Sequence, residues 1–195
     1  MSMMTAVIET PVLEPLPNWP VAEIPPFSWL RLWKGSSDEE VGLFMYVLCT
    51  YGNHEEVDGN PTVTEILQEV VERECLILPG GLLVQQDHSI IHPGCCSGLE
   101  DWRDWYGVPE GQFPWLGHDP WPWVEIVDGV VRVWANQDSL VHVNMDIEQF
   151  MLELESVSQD LQHFLKRCAD WIARSDERQV NGLLEKIAQD FSIDL

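Results

Sequence analysis

The chain has 195 residues and carries 33 Asp and Glu against 10 Lys and Arg, a formal net charge of −23. A field of that sign repels nucleic acid and anionic membrane surfaces, which argues against both as partners, and it attracts basic proteins. With 45% hydrophobic residues and ten Trp the chain holds too much apolar material to stay unfolded. Its length suits one domain whose core needs no staples.

The charge is uneven. Residues 1–165 hold 27 acids and 5 bases, whereas residues 166–195 hold 6 acids and 5 bases, so an acidic body ends in a nearly balanced tail. The ordinary reading of such a composition is a soluble acidic bacterial or halotolerant protein. The longest apolar run, Val41 to Cys49, is nine residues, short of the roughly 18 a membrane span needs. Residues 1–10 lack the basic start of a secretory signal. Five cysteines are an odd count in a chain too long for a disulfide scaffold, so the expectation is reduced thiols and a cytoplasmic location.

In chain order, Pro11, Pro15, Pro17, Pro20, Pro25 and Pro26 come first. Proline fixes φ and lacks an amide donor, so residues 1–35 are expected to form a Pro-rich, extended N-terminal arm. Val12, Leu13, Leu16, Trp19, Val21 and Ile24 would dock it on the domain. Pro17 to Pro20 also fits a PxxP ligand, a rarer use of such a segment. Residues 36–195 are expected to form a single α+β domain. Ser37-Asp-Glu-Glu40 has capping-box spacing and predicts a helix over 38–50, with a strand as the alternative because of Gly42 and the β-branched residues. Asn53 to Gly59 reads as an acidic loop. Asn60-Pro61 caps a second helix to about Glu74.

Cys75 to Leu78 reads as a buried strand, Pro79-Gly80-Gly81 as a turn, and Leu82–Val84 and Ser89–Ile91 as short strands. Ser97-Gly-Leu-Glu100 repeats the capping-box spacing and predicts a short helix ending at Gly107. A Gly/Pro/Trp loop follows over 107–123. Asp128-Gly129 between Trp123–Val127 and Val130–Trp134 predicts a type I′ hairpin, with a third strand at Leu140–Val143. Asp146 caps a long helix with apolar residues at 3.6-type spacing, predicted to pack on the sheet and to run to about residue 173. A final helix is placed at about 177–191.

Four groups of residues invite a chemical reading. His88, His92, Cys95 and Cys96 offer soft metal ligands, but adjacent cysteines seldom share one ion and no C-x-x-C or H-E-x-x-H occurs. Buried thiols and loop histidines are the ordinary reading, a vicinal disulfide or thiol switch a rarer one, and no metal or other cofactor is expected. His118-Asp119 could serve acid/base work or simply form a turn in the tryptophan loop. Glu100, Asp101 and Asp104 could be paired catalytic acids, a partner surface, or one solvated face favoured by the helix dipole. Glu100 and Asp104 would share a face at i and i+4. Trp102, Trp105, Trp115, Trp121, Trp123 and Trp134 are expected to be mostly core, with one or two as surface anchors for a partner.

From Leu76 onward the order of elements resembles the SUKH superfamily of bacterial immunity proteins. The residues that carry the resemblance are Leu78-Pro79-Gly80-Gly81, the strands between Val124 and Val143, and the helix start Asp146-Ile-Glu-Gln-Phe150-Met-Leu152. The family's Leu-Pro-x-x-Tyr helix entry is absent, and the cysteine pair and Trp-rich loop lie outside its pattern. The resemblance implies an α+β fold and toxin neutralisation by binding, with no catalytic residues.

Together these readings describe a cytoplasmic, non-enzymatic acidic protein that binds a basic protein partner such as a toxin, and neither nucleic acid nor membrane. The expected contact residues are Glu100, Asp101, Asp104, Trp115, Asp119 and Trp121. The alternatives are an enzyme or metal protein using His88, His92, Cys95, Cys96 and His118, and a small structural or phage-type protein whose acidity only confers solubility.

Overall fold

The computed structural model describes residues 2–14, 17, 19–51, 63–174 and 180–195. Two antiparallel sheets and their helices enclose one core in a single α+β domain. The first sheet has the order β2-β1-β3-β4, built from β1 (Ser2–Glu9), β2 (Trp29–Arg31), β3 (Gly80–Gln86) and β4 (Ser89–Ile91). Strand β1 is flanked on both sides, with Val7 facing Arg31 of β2 and Gly81 of β3. Met4, Ala6, Val7 and Ile8 are all buried. A strand covered on both faces loses the polar/apolar alternation, which is why the first nine residues carry no strand signal in the sequence.

Two expectations between the helices and this sheet are corrected. Pro79-Gly80-Gly81 is not a turn, since Gly80 and Gly81 open β3. A Cβ on Gly80 would run into the Val7 carbonyl, and Gly81 has φ +139°. Gly80 serves a close strand approach and Gly81 a positive-φ backbone, and neither makes a reversal. Cys75–Leu78 is extended but joins no ladder. Its amides go to carboxylates, Leu76 N to Asp190 Oδ2 at 2.7 Å and Leu78 N to Glu100 Oε2 at 3.2 Å. Two acidic side chains thus take the place of a neighbouring strand.

The second sheet is the meander β5 (Trp123–Val127), β6 (Val130–Trp134) and β7 (His142–Asp146). Asp128 and Gly129 hold φ +52° and +79°, as the type I′ turn requires. β7 starts two residues later than predicted, because Leu140 and Val141, apolar by type, are exposed. The Gln86 side-chain amide bonds both the Asn144 carbonyl (3.3 Å) and its N–H (3.2 Å), linking the two sheets as a strand residue would.

The first two helices are α1 (Asp38–Thr50) and α2 (Val63–Glu72). In α1 both bonds of the capping box form, Glu40 N to Ser37 Oγ at 3.2 Å and Ser37 N to Glu40 Oε2 at 2.7 Å. Val41 to Cys49 are all buried, so α1 is covered on every side and has no polar face. The Pro-rich segment covers part of it. Trp19 Nε1 donates to the Gly42 carbonyl at 2.9 Å, and a Cβ on Gly42 would strike the Pro20 carbonyl. Leu13, Val21 and Ile24 pack on the core, while Val12 stays exposed. α3 (Ile147–Ala173) starts at the Asp146 cap, which accepts from Gln149 N at 2.8 Å, and it spans both sheets with a buried stripe from Phe150 to Ile172. α4 is Val180–Asp190. The predicted Asn53–Gly59 loop, the Asn60-Pro61 cap, Leu16 and the predicted start at Glu177 lie outside the described residues. No helix among the described residues is long and apolar enough to cross a membrane.

Candidate functional site

Residues Leu99–Glu110 form the predicted helix, but it is a 3₁₀ helix and it runs past Gly107. The sequence period explains it. Leu99, Trp102, Trp105 and Val108 recur every third residue and are all buried, matching three residues per turn. The Ser97 capping box does not form. Gly98 takes the N-cap position without a side-chain bond, and Ser97 is itself buried. Trp102 Nε1 donates to the Phe191 carbonyl at 2.7 Å, and Arg103 pairs with Asp194 at 2.6 Å, so the chain's end is tied to this helix.

The three-residue period also redistributes the acids. Asp101 and Asp104, at i and i+3, share the exposed face. Glu100 turns the other way. It accepts from Leu78 N and lies against Gly98, and burial pushes its carboxyl above the ordinary range, with Asp101 adding to the rise. Glu100 is therefore a structural acid that holds the 75–78 segment. Burial also raises the Asp101 carboxyl, helped by the nearby Asp104.

The loop after the 3₁₀ helix folds back on residues 94–96. Gly94 N donates to the Leu116 carbonyl at 2.7 Å, Cys95 N to the His118 carbonyl at 2.6 Å, and His118 N to the Cys95 carbonyl at 2.9 Å. The two backbones approach so closely that a Cβ on Gly117 would sit 2.5 Å from the Gly94 backbone. Trp115 Nε1 donates to the Cys96 carbonyl at 3.2 Å. On the rim Trp115 and Trp121 are 50% and 49% exposed. The Trp121 ring stands edge-on to His118 at 6.3 Å.

This clamp assembles a cluster that spacing alone argued against. Cys95, Cys96 and His118 place their ligand atoms within 4.8 Å of one another. The thiols stand 3.3 Å apart. In an extended chain adjacent side chains point to opposite faces, but Cys96 has φ +64°, which swings its side chain to the same side as that of Cys95. His118 comes from the other strand of the bridge, 23 residues on, a distance no local motif records. Its Nδ1 lies 3.1 Å from Asp119 Oδ2. The bond with Cys96 pushes the Cys95 thiol up, with some desolvation and the negative charges of Cys96, Glu9 and Asp119 adding to it.

The other predicted ligands lie elsewhere. His88 is exposed in the β3–β4 turn. His92 stacks on Trp29 at 5.5 Å, and burial lowers its pKa. Of the expected contact residues, Trp115, Asp119 and Trp121 share the rim of the clamp, Asp101 and Asp104 the outer face of the 3₁₀ helix, and Glu100 neither. Trp102 and Trp105 are core, as expected, while Trp123 and Trp134 stack on each other across the hairpin at 5.7 Å. No protein-family model matches the chain, and no curated protein or solved structure matches it either.

Proposed function

We propose that this chain acts by binding a basic protein, with the Trp115–Trp121 rim as its anchor. The observation that carries the reading is the pair of half-exposed tryptophans flanking Asp119, whose side chain is 90% exposed. Exposed Trp held by a rigid backbone is the residue type that dominates interface energetics, and here an acid stands between the two anchors. The disposition of the few cations supports it. Arg73, Arg103, Arg132, Arg167, Arg174 and Lys186 each pair with a carboxylate of the chain itself, so they stitch the fold while Asp101, Asp104 and Asp119 face solvent. Such a surface steers a cationic partner into contact.

A toxin-neutralising immunity-type protein is the sharpest form of this reading, and it is what the SUKH resemblance implies. A basic nuclease displays cations for nucleic acid, and an acidic domain can occupy that surface. The test starts from capture of partners by the intact chain in lysate of its own cells, followed by binding of the purified partner to single variants. Trp115→Ala and Trp121→Ala are expected to weaken the complex by about 2 kcal/mol or more each, roughly 30-fold in Kd. Captured partners that are acidic or neutral, or affinity unchanged in both variants, would refute the reading.

A further inference from the structure

We infer that Cys95 Sγ, Cys96 Sγ and the His118 imidazole form a binding site for one thiophilic d¹⁰ cation, Zn²⁺ or Cu(I). The site shares Asp119 with the proposed protein contact, but it stands on its own observations. Two sulfurs and an imidazole are the donor set that selects such ions over Mg²⁺ or Ca²⁺. The donors converge: all three ligand atoms fall within 4.8 Å of one another, and the sulfurs are 3.3 Å apart. Two sulfurs on one tetrahedral zinc stand about 3.8 Å apart, at roughly 2.3 Å from the metal. The pair needs to open by only about 0.5 Å.

The usual objection to neighbouring cysteines as joint ligands is geometric, and the left-handed Cys96 backbone removes it. The support is rigid. The paired Cys95 and His118 backbones, with Gly94 against Gly117, fix the two ligand-bearing segments to each other. With Nδ1 on the Asp119 carboxylate, Nε2 is the nitrogen left for a cation, and such a carboxylate raises the ligand's basicity. Both cysteines are exposed, which gives the ion an entry path. Three protein donors leave a fourth position for water or for a donor from a bound partner. Each thiol that ligates gives its proton to the buffer, and no electron is transferred.

The test uses the intact chain, reduced and stripped of metal, titrated with Co²⁺ as a spectroscopic probe. The expected result is saturation at one Co²⁺ per chain, with a thiolate charge-transfer band and the visible bands of a tetrahedral ion, all lost on adding one equivalent of Zn²⁺. Cu(I) delivered against a colorimetric chelator then shows which of the two ions is held more tightly. Cys95→Ser and Cys96→Ser each weaken the charge-transfer band and together abolish it, Asp119→Asn lowers affinity about 10–100-fold, and Cys75→Ser changes nothing. If a cysteine variant fails to fold, alkylation of the unmodified chain decides the matter. Zn²⁺ should slow alkylation of Cys95 and Cys96 at least tenfold and leave exposed Cys75 unaffected. Absence of the charge-transfer band at saturating Co²⁺, its survival in the folded double Cys95→Ser/Cys96→Ser variant, or unprotected alkylation overturns the assignment.

Discussion

Arg73 closes the C-terminal end of α1 from outside the helix. The last turn of α1 has no basic residue of its own. Arg73, just past α2, supplies one, with Nη1 2.7 Å from the Leu48 carbonyl, Nη2 2.6 Å from that of Cys49, and Nη1 3.3 Å from that of Tyr51. Its guanidinium fork thus satisfies carbonyls that the helix cannot. Leu48 and Cys49 are buried, at 1% and 6% exposure, so water does not readily replace it. A hydrogen bond to a charged group contributes about 1.5–3 kcal/mol net. Two short bonds at one helix end, acting together and partly screened, give about 3 kcal/mol. Arg73→Met keeps the apolar stem and removes the fork. At about 2–4 °C per kcal/mol for a chain of this size, the melting temperature should drop by roughly 6–12 °C. Arg73→Lys, which keeps the charge but not the fork, should lose about half as much. Urea unfolding followed by circular dichroism measures both. A loss below about 0.5 kcal/mol for Arg73→Met would refute the assignment of these carbonyls to Arg73.

Asp38 accepts from Arg174 and Arg167, and the bond from Arg174, ahead of the two charges, holds its carboxyl below the usual range. The folded state then binds fewer protons than the unfolded one near pH 3.8, so this stabilisation is present at neutral pH and lost as pH falls through the lowered value. Asp38→Asn should cost no more than about 1 kcal/mol at pH 7, as exposed pairs do, and the difference from the parent should close in strong acid; equal gaps at both pH values would contradict it. For Glu100 the sign reverses. Burial raises its carboxyl, so the folded state holds the proton more tightly and stability falls as pH rises above the ordinary Glu range. Glu100→Gln keeps an acceptor for Leu78 N and should gain stability relative to the parent on going from pH 4 to pH 7, a gain that thermal melts would read; a relative loss would show that the charge is needed. Gly42→Ala drives a methyl into the Pro20 carbonyl and should loosen the proline segment, seen as faster proteolysis between residues 10 and 26 with α1 intact; unchanged cleavage would mean that the close approach is not required.

The elements that local rules govern were legible in the sequence. The Ser37 box, the Asp128-Gly129 turn and the Asp146 cap each act within four residues, and each forms as read. What long-range contacts govern was not. β1 lacks alternation because a second face is covered by elements far along the chain. Gly80 and Gly81 look like a turn until Val7 is placed beside them. Leu99, Trp102, Trp105 and Val108 recur every third residue, whereas a 3.6-residue period would put Glu100 on the face of Asp104. The Cys95–Cys96–His118 cluster depends on one positive φ and one backbone bridge across 23 residues, and neither leaves a motif. Trp115 and Trp121 stand out in the sequence by residue type alone, and their exposure is set by the loop that holds them.

Binding of a basic protein through the Trp115–Trp121 rim, as proposed, is read in the association rate of the purified complex. Exposed charges are screened beyond about 8 Å at physiological ionic strength. Stopped-flow association at low and at physiological salt should show the rate constant falling by about tenfold or more, with dissociation much less affected. Lys at Asp101, Asp104 and Asp119 together should slow association while leaving the melting temperature unchanged. An association rate indifferent to salt, or tight binding of DNA or RNA at physiological salt, would overturn the proposed mode of binding.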